Sequence, residues 1–125
     1  MKLINSAPRN KSVGPYSQAI DVGNLVYTSG IIGLQSDNTL APGLEQQVKE
    51  IFENARSVLG EARLSLSNVV KATVYVVDLK EYGVFNTLFA EEFAGHKPAR
   101  STVQVAALPL GASIEIEFIA ERQAV

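Results

Sequence analysis

Residues 68–77 read NVVKATVYVV, and the period of that stretch decides the architecture. Val70, Ala72, Val74 and Val76 recur at every second position, with Lys71, Thr73, Tyr75 and Val77 between them. A period of two sends alternate side chains to opposite faces of a sheet, so the run predicts a strand with one apolar face. The segments on either side change period. Upstream, Leu44, Val48, Ile51, Phe52, Ala55, Val58, Leu59 and Ala62 are spaced by threes and fours. That spacing predicts one apolar stripe on a helix, with Glu45, Lys49, Glu53 and Arg56 turned to water. Downstream, Asp78 and Glu81 form a D-x-x-E pattern that predicts a capping box. Tyr82, Phe85, Phe89 and Phe93, widened by Leu88, predict the stripe of a second helix, which Gly95 and Pro98 end.

Strand-like runs flank these elements. At the end of the chain stand RSTVQVAAL (100–108) and SIEIEFIAE (113–121). In the latter, Ile114, Ile116, Phe118 and Ala120 share one face, and Ser113, Glu115, Glu117 and Ile119 the other. At the front, KLIN (2–5) predicts a short edge strand, followed by a loop to Pro15. YSQAIDV (16–22) and LVYTSGI (25–31) flank Gly23-Asn24, a tight hairpin, because glycine takes positive φ without steric cost. GLQSDNTLAPG (33–43) is turn-rich and predicts a loop. The order (β)ββ-α-β-α-ββ predicts an α+β two-layer sandwich, a mixed six-stranded sheet with two helices on one face. The opposite face, expected to carry Thr73, Tyr75, Val77, Gln104, Glu115 and Glu117, is then uncovered. A sheet face of that size is seldom bare, and self-association into a closed ring is the simplest cover.

The 125 residues predict a single domain, 1–125, and 46% hydrophobic content fits a globular protein. No apolar run approaches a membrane span, and no signal-peptide pattern opens the chain. Zero cysteines exclude disulfides and thiolate metal sites, and they fit a reducing compartment. A net charge of −2 gives no electrostatic reason to expect nucleic acid as a partner. Arg9, Lys11 and Lys97 are too scattered to form a basic patch.

Among chemistry-bearing residues, His96 stands alone in a loop and reads as a surface group, not a metal ligand. Gly14, Gly23, Gly30 and Gly33 spell no phosphate loop. Gly30 closes a strand at TSG, where it marks either a bulge or a place where the missing side chain lets a ligand approach the backbone. Arg100 follows Pro98-Ala99 at the start of a strand read as interior and outward-pointing. It is either half of a surface ion pair or a fixed guanidinium able to hold a carboxylate with two parallel hydrogen bonds. Glu115 is simply solvated, unless the uncovered face is buried in an oligomer, where a carboxylate needs a partner or a task. Tyr16 is either a pocket phenol or a core ring.

Four stretches, VGPYSQAIDVGNLVYTSG (13–30), FENARSVL (52–59), VVKATVYVVDL (69–79) and PARSTVQVAALPLGASIEIEFIA (98–120), carry a family resemblance. The chain resembles the RidA (YjgF) family of reactive-intermediate deaminases, and the PARS…LP…IEIE segment is the most specific match. The resemblance implies a chorismate-mutase-like fold and a homotrimer with its sheets facing inward and its active sites between subunits. It implies hydrolysis of 2-imino acids, chiefly 2-iminobutanoate and 2-iminopropanoate, to 2-keto acids and ammonia. No metal or cofactor is implied, and the expected location is cytoplasmic. Carried over by position, Arg100 binds the substrate carboxylate and Glu115 orients or activates the water. Tyr16 lines the pocket, the backbone of Ser29 and Gly30 borders the substrate, and Asn86 lies near the cleft. Thr102 occupies a position held by cysteine in some relatives. After TSG many relatives continue with Gln-Ile, whereas Ile31, Ile32 and Gly33 follow here. Two other functions compete: a small-carboxylate binding module without turnover, which Glu115 argues against, and a ribonuclease or translation inhibitor, which the acidic balance argues against.

Overall fold

A computed structural model describes residues 1–5 and 14–123. The loop read over residues 6–13, with Arg9 and Lys11, lies outside the described residues. The strands are β1 (Lys2–Ile4), β2 (Ala19–Asp21), β3 (Leu25–Thr28), β4 (Ile31–Ile32), β5 (Val69–Val76), β6 (Ala99–Gln104) and β7 (Ile114–Glu121). The helices are α1 (Gly43–Glu61) and α2 (Tyr82–Phe93). The sheet runs β1-β2-β3-β7-β5-β6, with β4 also paired to β7. The β5–β6 pair is parallel, joined by α2, and the other pairings are antiparallel. Among the described residues no helix is long and apolar enough to cross a membrane.

The two predicted periodicities bury what they should. On α1, Leu44, Val48, Ile51, Phe52, Ala55, Val58 and Leu59 are buried against the sheet. On α2, Phe85, Leu88, Phe89 and Phe93 are buried, while Tyr82 is 44% exposed. Phe52 joins the layers, with ring centroids 5.4 Å from Phe93 and 5.8 Å from Phe118 in edge-on contacts. Two polar residues of α1 face inward with partners. Asn54 Nδ2 donates to Leu34 O (3.0 Å), and Gln47 Oε1 accepts from Ser113 N (2.9 Å).

The sheet and the turn that leads into α2 differ from the sequence reading. LVYTSGI divides into β3 and β4, giving a seventh strand. Tyr27 pairs Ile119 and Ile31 pairs Ile116, so four steps oppose three and a bulge falls at Thr28–Gly30. There Thr28 Oγ1 accepts from Phe118 N (3.0 Å), replacing a ladder bond. A second bulge follows Val69 on β5. It buries Val69 and turns Val70, expected inside, to 39% exposure. Asp78 caps a separate 3-10 turn, Leu79–Glu81, by accepting from Lys80 N, and so forms no capping box on α2. Strand β6 is an edge strand, not an interior one. Its register pairs Arg100 with Ala72 and Gln104 with Val76. Both therefore lie on the helix side of the sheet, and Gln104 Oε1 accepts from Leu79 N (2.9 Å).

Gly33 sits where β4 presses on α1. A Cβ there would lie 2.6 Å from Gln47 Cα and 2.7 Å from Gln47 O. Helix backbone cannot step aside as a side-chain tip can. Gly33→Ala is expected to cost about 1–3 kcal/mol through overpacking, read as a lower urea midpoint with an unchanged m-value.

Candidate active site

Strand β7 alternates without interruption, so burying Ile114, Ile116, Phe118 and Ala120 forces Glu115 and Glu117 onto the open face. Glu115 lies against the bulge. A Cβ on Gly30 would stand 2.7 Å from Glu115 Cδ and 2.8 Å from its Oε2. The missing side chain at TSG is therefore the seat of the Glu115 carboxylate: the bulge reading of Gly30 holds, and the group that lies against it is Glu115. Tyr16, Ser29, Gly30, Pro109 and Glu115 line an open cleft of about 320 Å³. Tyr16 is 46% exposed, a cleft-lining ring and not a core one. Ser29 Oγ donates to Ser17 O (2.6 Å) and Ser29 N to Gln18 O (3.0 Å). These bonds dock the segment that carries Tyr16 onto the bulge.

Burial pushes the Glu115 carboxyl above the ordinary carboxylate value, and the neighbouring charge of Glu117 pushes it the same way. Tyr75, the cross-strand partner of Glu115, donates its hydroxyl proton to Glu117. That bond, burial and the two glutamate charges raise the Tyr75 phenol above its usual range.

The other predicted residues gather elsewhere. Arg100 leans under α2, where Phe85 and Phe89 stand one turn apart, as do Tyr82 and Asn86. Its Nη2 donates to Asn86 Oδ1 (2.7 Å) and Tyr82 Oη (3.0 Å). Its guanidinium carbon lies 4.9 Å from the Phe89 centroid, 5.1 Å from Phe85 and 5.5 Å from Tyr82. The salt bridges of the described residues do not include Arg100, so the surface ion-pair reading gives way to a positive charge held by neutral groups. Thr102, two residues on, shares this side of β6. Its hydroxyl oxygen is buried and has no hydrogen-bond partner among the described residues.

The two groups do not meet within one chain. Glu115 is level with Tyr75, and Tyr75 with Val103. Arg100 thus lies two strands across and three residues along, about 14 Å away between Cα positions from strand spacing and rise, on the opposite face. His96, read as a surface group, is half-buried, and its Nε2–H donates to Val69 O (2.6 Å) beside the β5 bulge. Sequence reasoning missed Tyr82 and the Tyr75–Glu117 pair as parts of these two groups. Tyr82 was legible one helical turn before Asn86, and Glu117 was legible two residues beyond Glu115.

A family model described as endoribonuclease L-PSP matches residues 5–122. The chain belongs to this family. Membership in the L-PSP family bears out the RidA resemblance, since a solved RidA from an Antarctic Psychrobacter species superimposes with a TM-score of 0.94. That structure is 39% identical and covers 98% of this chain and 100% of its own. The mouse protein named 2-iminobutanoate/2-iminopropanoate deaminase is 40% identical over 121 residues, 95% of this chain and 90% of its own. The structure of E. coli TdcF with bound serine has a TM-score of 0.93 at 33% identity, covering 98% of this chain and 100% of its own. Every strand but β1, both helices, and the Arg100 and Glu115 groups fall inside the span matched by the L-PSP family model.

Proposed function

We propose that the protein hydrolyses 2-imino acids such as 2-iminobutanoate and 2-iminopropanoate to 2-keto acids and ammonia. It does so in a homotrimer whose sites each pair the Arg100 group of one copy with the Glu115 group of the next. The observation that carries this reading is the division of the predicted site into two halves on opposite sheet faces, one at the β6 edge and one on the open face. Neither half is sufficient alone. A trimer with inward-facing sheets would cover the open face and bring an edge of one copy to the cleft of another.

In the assembled site Arg100 holds the substrate carboxylate by charge-assisted hydrogen bonds. Glu115 takes a proton from a water aimed at the C=N carbon. The C–O bond forms as the C=N π pair moves to nitrogen, which carries a proton. Glu115 then returns its proton to the carbinolamine nitrogen and takes the hydroxyl proton in exchange. The O–H pair becomes the C=O bond as the C–N bond breaks, so that ammonia leaves, the 2-keto acid remains, and the proton on Glu115 passes to the departing ammonia as ammonium. A protonated imine is already electrophilic, so holding it against water is the main task, and such positioning supplies up to roughly 7–11 kcal/mol in favourable cases. Tyr16 and the backbone of Ser29 and Gly30 border the substrate, with Asn86 and Thr102 on the Arg100 side.

A second reading, a small-carboxylate binding module without turnover, has one observation in its favour: the E. coli TdcF relative has serine bound. Ribonuclease action has less support. Among the described residues the open face sets Glu115 and Glu117 against the single cation Lys71, a poor balance for phosphate. A coupled assay separates these readings. A dehydratase acts on threonine with semicarbazide present to trap free imine, and this protein is titrated in. Less semicarbazone with faster 2-ketobutanoate release establishes the deaminase, and no effect at any concentration refutes it.

Gly30→Ala tests the seat of Glu115. The displaced atoms are the far end of a flexible side chain, so the melting temperature is expected to stay near wild type. Turnover is expected to fall about 10²-fold, the usual consequence of misplacing a catalytic group by roughly an ångström. Steady-state kinetics and a thermal melt on the same sample check it, against the opposite pattern at Gly33→Ala.

A further inference from the structure

Both edges of a guanidinium that offer two parallel N–H bonds to a carboxylate include Nη2. In this chain Nη2 is the engaged nitrogen, within 2.7 Å of Asn86 Oδ1 and 3.0 Å of Tyr82 Oη. Nη2 carries two hydrogens, and two acceptors stand on it. A carboxylate that grips Arg100 with two bonds must therefore displace one of them. The two acceptors differ. Asn86 makes the shorter bond in a half-buried setting. Tyr82 makes the longer one from an exposed position at the first turn of α2, its side chain bounded on one side by solvent.

We propose that Tyr82 is a latch on the carboxylate subsite: its phenol oxygen holds the Arg100 hydrogen that an arriving carboxylate must take. The proposal rests on Arg100 being the carboxylate grip and adds how that grip is kept and released. Tyr82, Asn86 and the rings of Phe85 and Phe89 hold the guanidinium in one orientation, and among the described residues no carboxylate pairs with it. A phenol oxygen is a neutral acceptor. An anionic oxygen adds the attraction of opposite charges to the same N–H bond and evicts it. The freed hydroxyl then changes role, because a phenol that accepted from arginine is able to donate to a carboxylate. A neutral ligand has no such advantage over the phenol. The latch thus selects for anions at the point of entry.

The sign of one substitution tests this. A support for Arg100 and a competitor for it have opposite effects when removed. Binding of 2-ketobutanoate to the assembled protein is measured by titration calorimetry for wild type, Tyr82→Phe, Asn86→Ala and Arg100→Ala. The latch predicts that Tyr82→Phe lowers the Kd by about tenfold or more, the value of a hydrogen bond to a charged group that no longer has to be broken. Asn86→Ala is expected to raise it. If wild type binds, Arg100→Ala does not, and Tyr82→Phe binds equally or more weakly, the latch is wrong and Tyr82 is a support. If Arg100→Ala binds as well as wild type, or wild type does not bind at all, the grip itself is wrong and the latch falls with it.

Discussion

Arg100→Ala is expected to lower kcat/KM for 2-iminobutanoate by roughly thirtyfold to several thousandfold, the range of ~2–5 kcal/mol for losing a charge-assisted contact to a desolvated partner. The fold should not notice. Arg100 lies at the sheet edge, and its partners are neutral: Asn86, Tyr82 and three aromatic faces. Removing it leaves no buried charge behind, and Phe85 and Phe89 stay buried in a core that extends to Phe118. Wild-type kinetics in the variant would remove Arg100 from the site, and a large fall in melting temperature would make it a structural residue. Arg100→Lys is the sharper comparison. Lysine keeps the charge and loses the planar fork, so a recovery to only a small part of wild-type activity is expected where two parallel bonds matter.

The same variant tests the shared site. Arg100→Ala and Glu115→Gln, each inactive alone, are unfolded together and refolded. If each site takes its arginine from one copy and its glutamate from the next, an equal mixture regains roughly a quarter of wild-type activity, since one interface in four pairs two intact residues. A site contained within one chain regains nothing.

These two residues also show where a sequence stops being readable. Strand β7 was legible because its alternation is unbroken, so Glu115 had one possible face. Helix α1 was legible because its apolar stripe has a single solution. Strand β6 was not. Ala99, Ser101 and Val103 against Arg100, Thr102 and Gln104 offer no apolar face to choose between, so the side on which Arg100 lies is set by pairing to β5 and by the rings of α2. Strand β5 misled for a related reason. Strict alternation from Ala72, Val74 and Val76 places Val70 inside, and only a bulge, with His96 bonded to the Val69 carbonyl, puts Val69 there instead. The hydrogen bond that Asp78 accepts from Lys80 N in a 3-10 turn has the spacing of a helix cap, which sequence cannot tell apart. Residue types with one physical solution were read correctly. Positions whose answer depends on a neighbouring strand were not.

Glu115→Gln is expected to lower turnover about 10²- to 10⁴-fold, the usual contribution of a positioned acid–base group, while 2-keto acid binding, an Arg100 property, changes little. Its effect on stability should run the other way. Burial and Glu117 raise the Glu115 carboxyl in the folded protein above its ordinary value near 4.5. Folding therefore favours the protonated form. The stability this group contributes is present below the unfolded value and lost as pH rises through the folded one. At neutral pH the wild-type protein holds a disfavoured charge, and glutamine removes it at equal volume. The variant should therefore melt at a higher temperature than wild type at pH 7, with the gain shrinking as pH falls through the carboxylate range. Activity gives the matching sign. A base must be ionised, so wild-type kcat should fall on the acid side at the raised Glu115 value. Glu117→Gln removes the adjacent charge, lowers that value and moves the acid limb to lower pH. Other groups facing the pair, Tyr75, Tyr16, Lys71 and Tyr27, are unchanged in that variant. A less stable Glu115→Gln protein, or an acid limb that stays in place in Glu117→Gln, would mean that the carboxylate is solvated in the assembly, and a solvated carboxylate has no seat from which to aim a water.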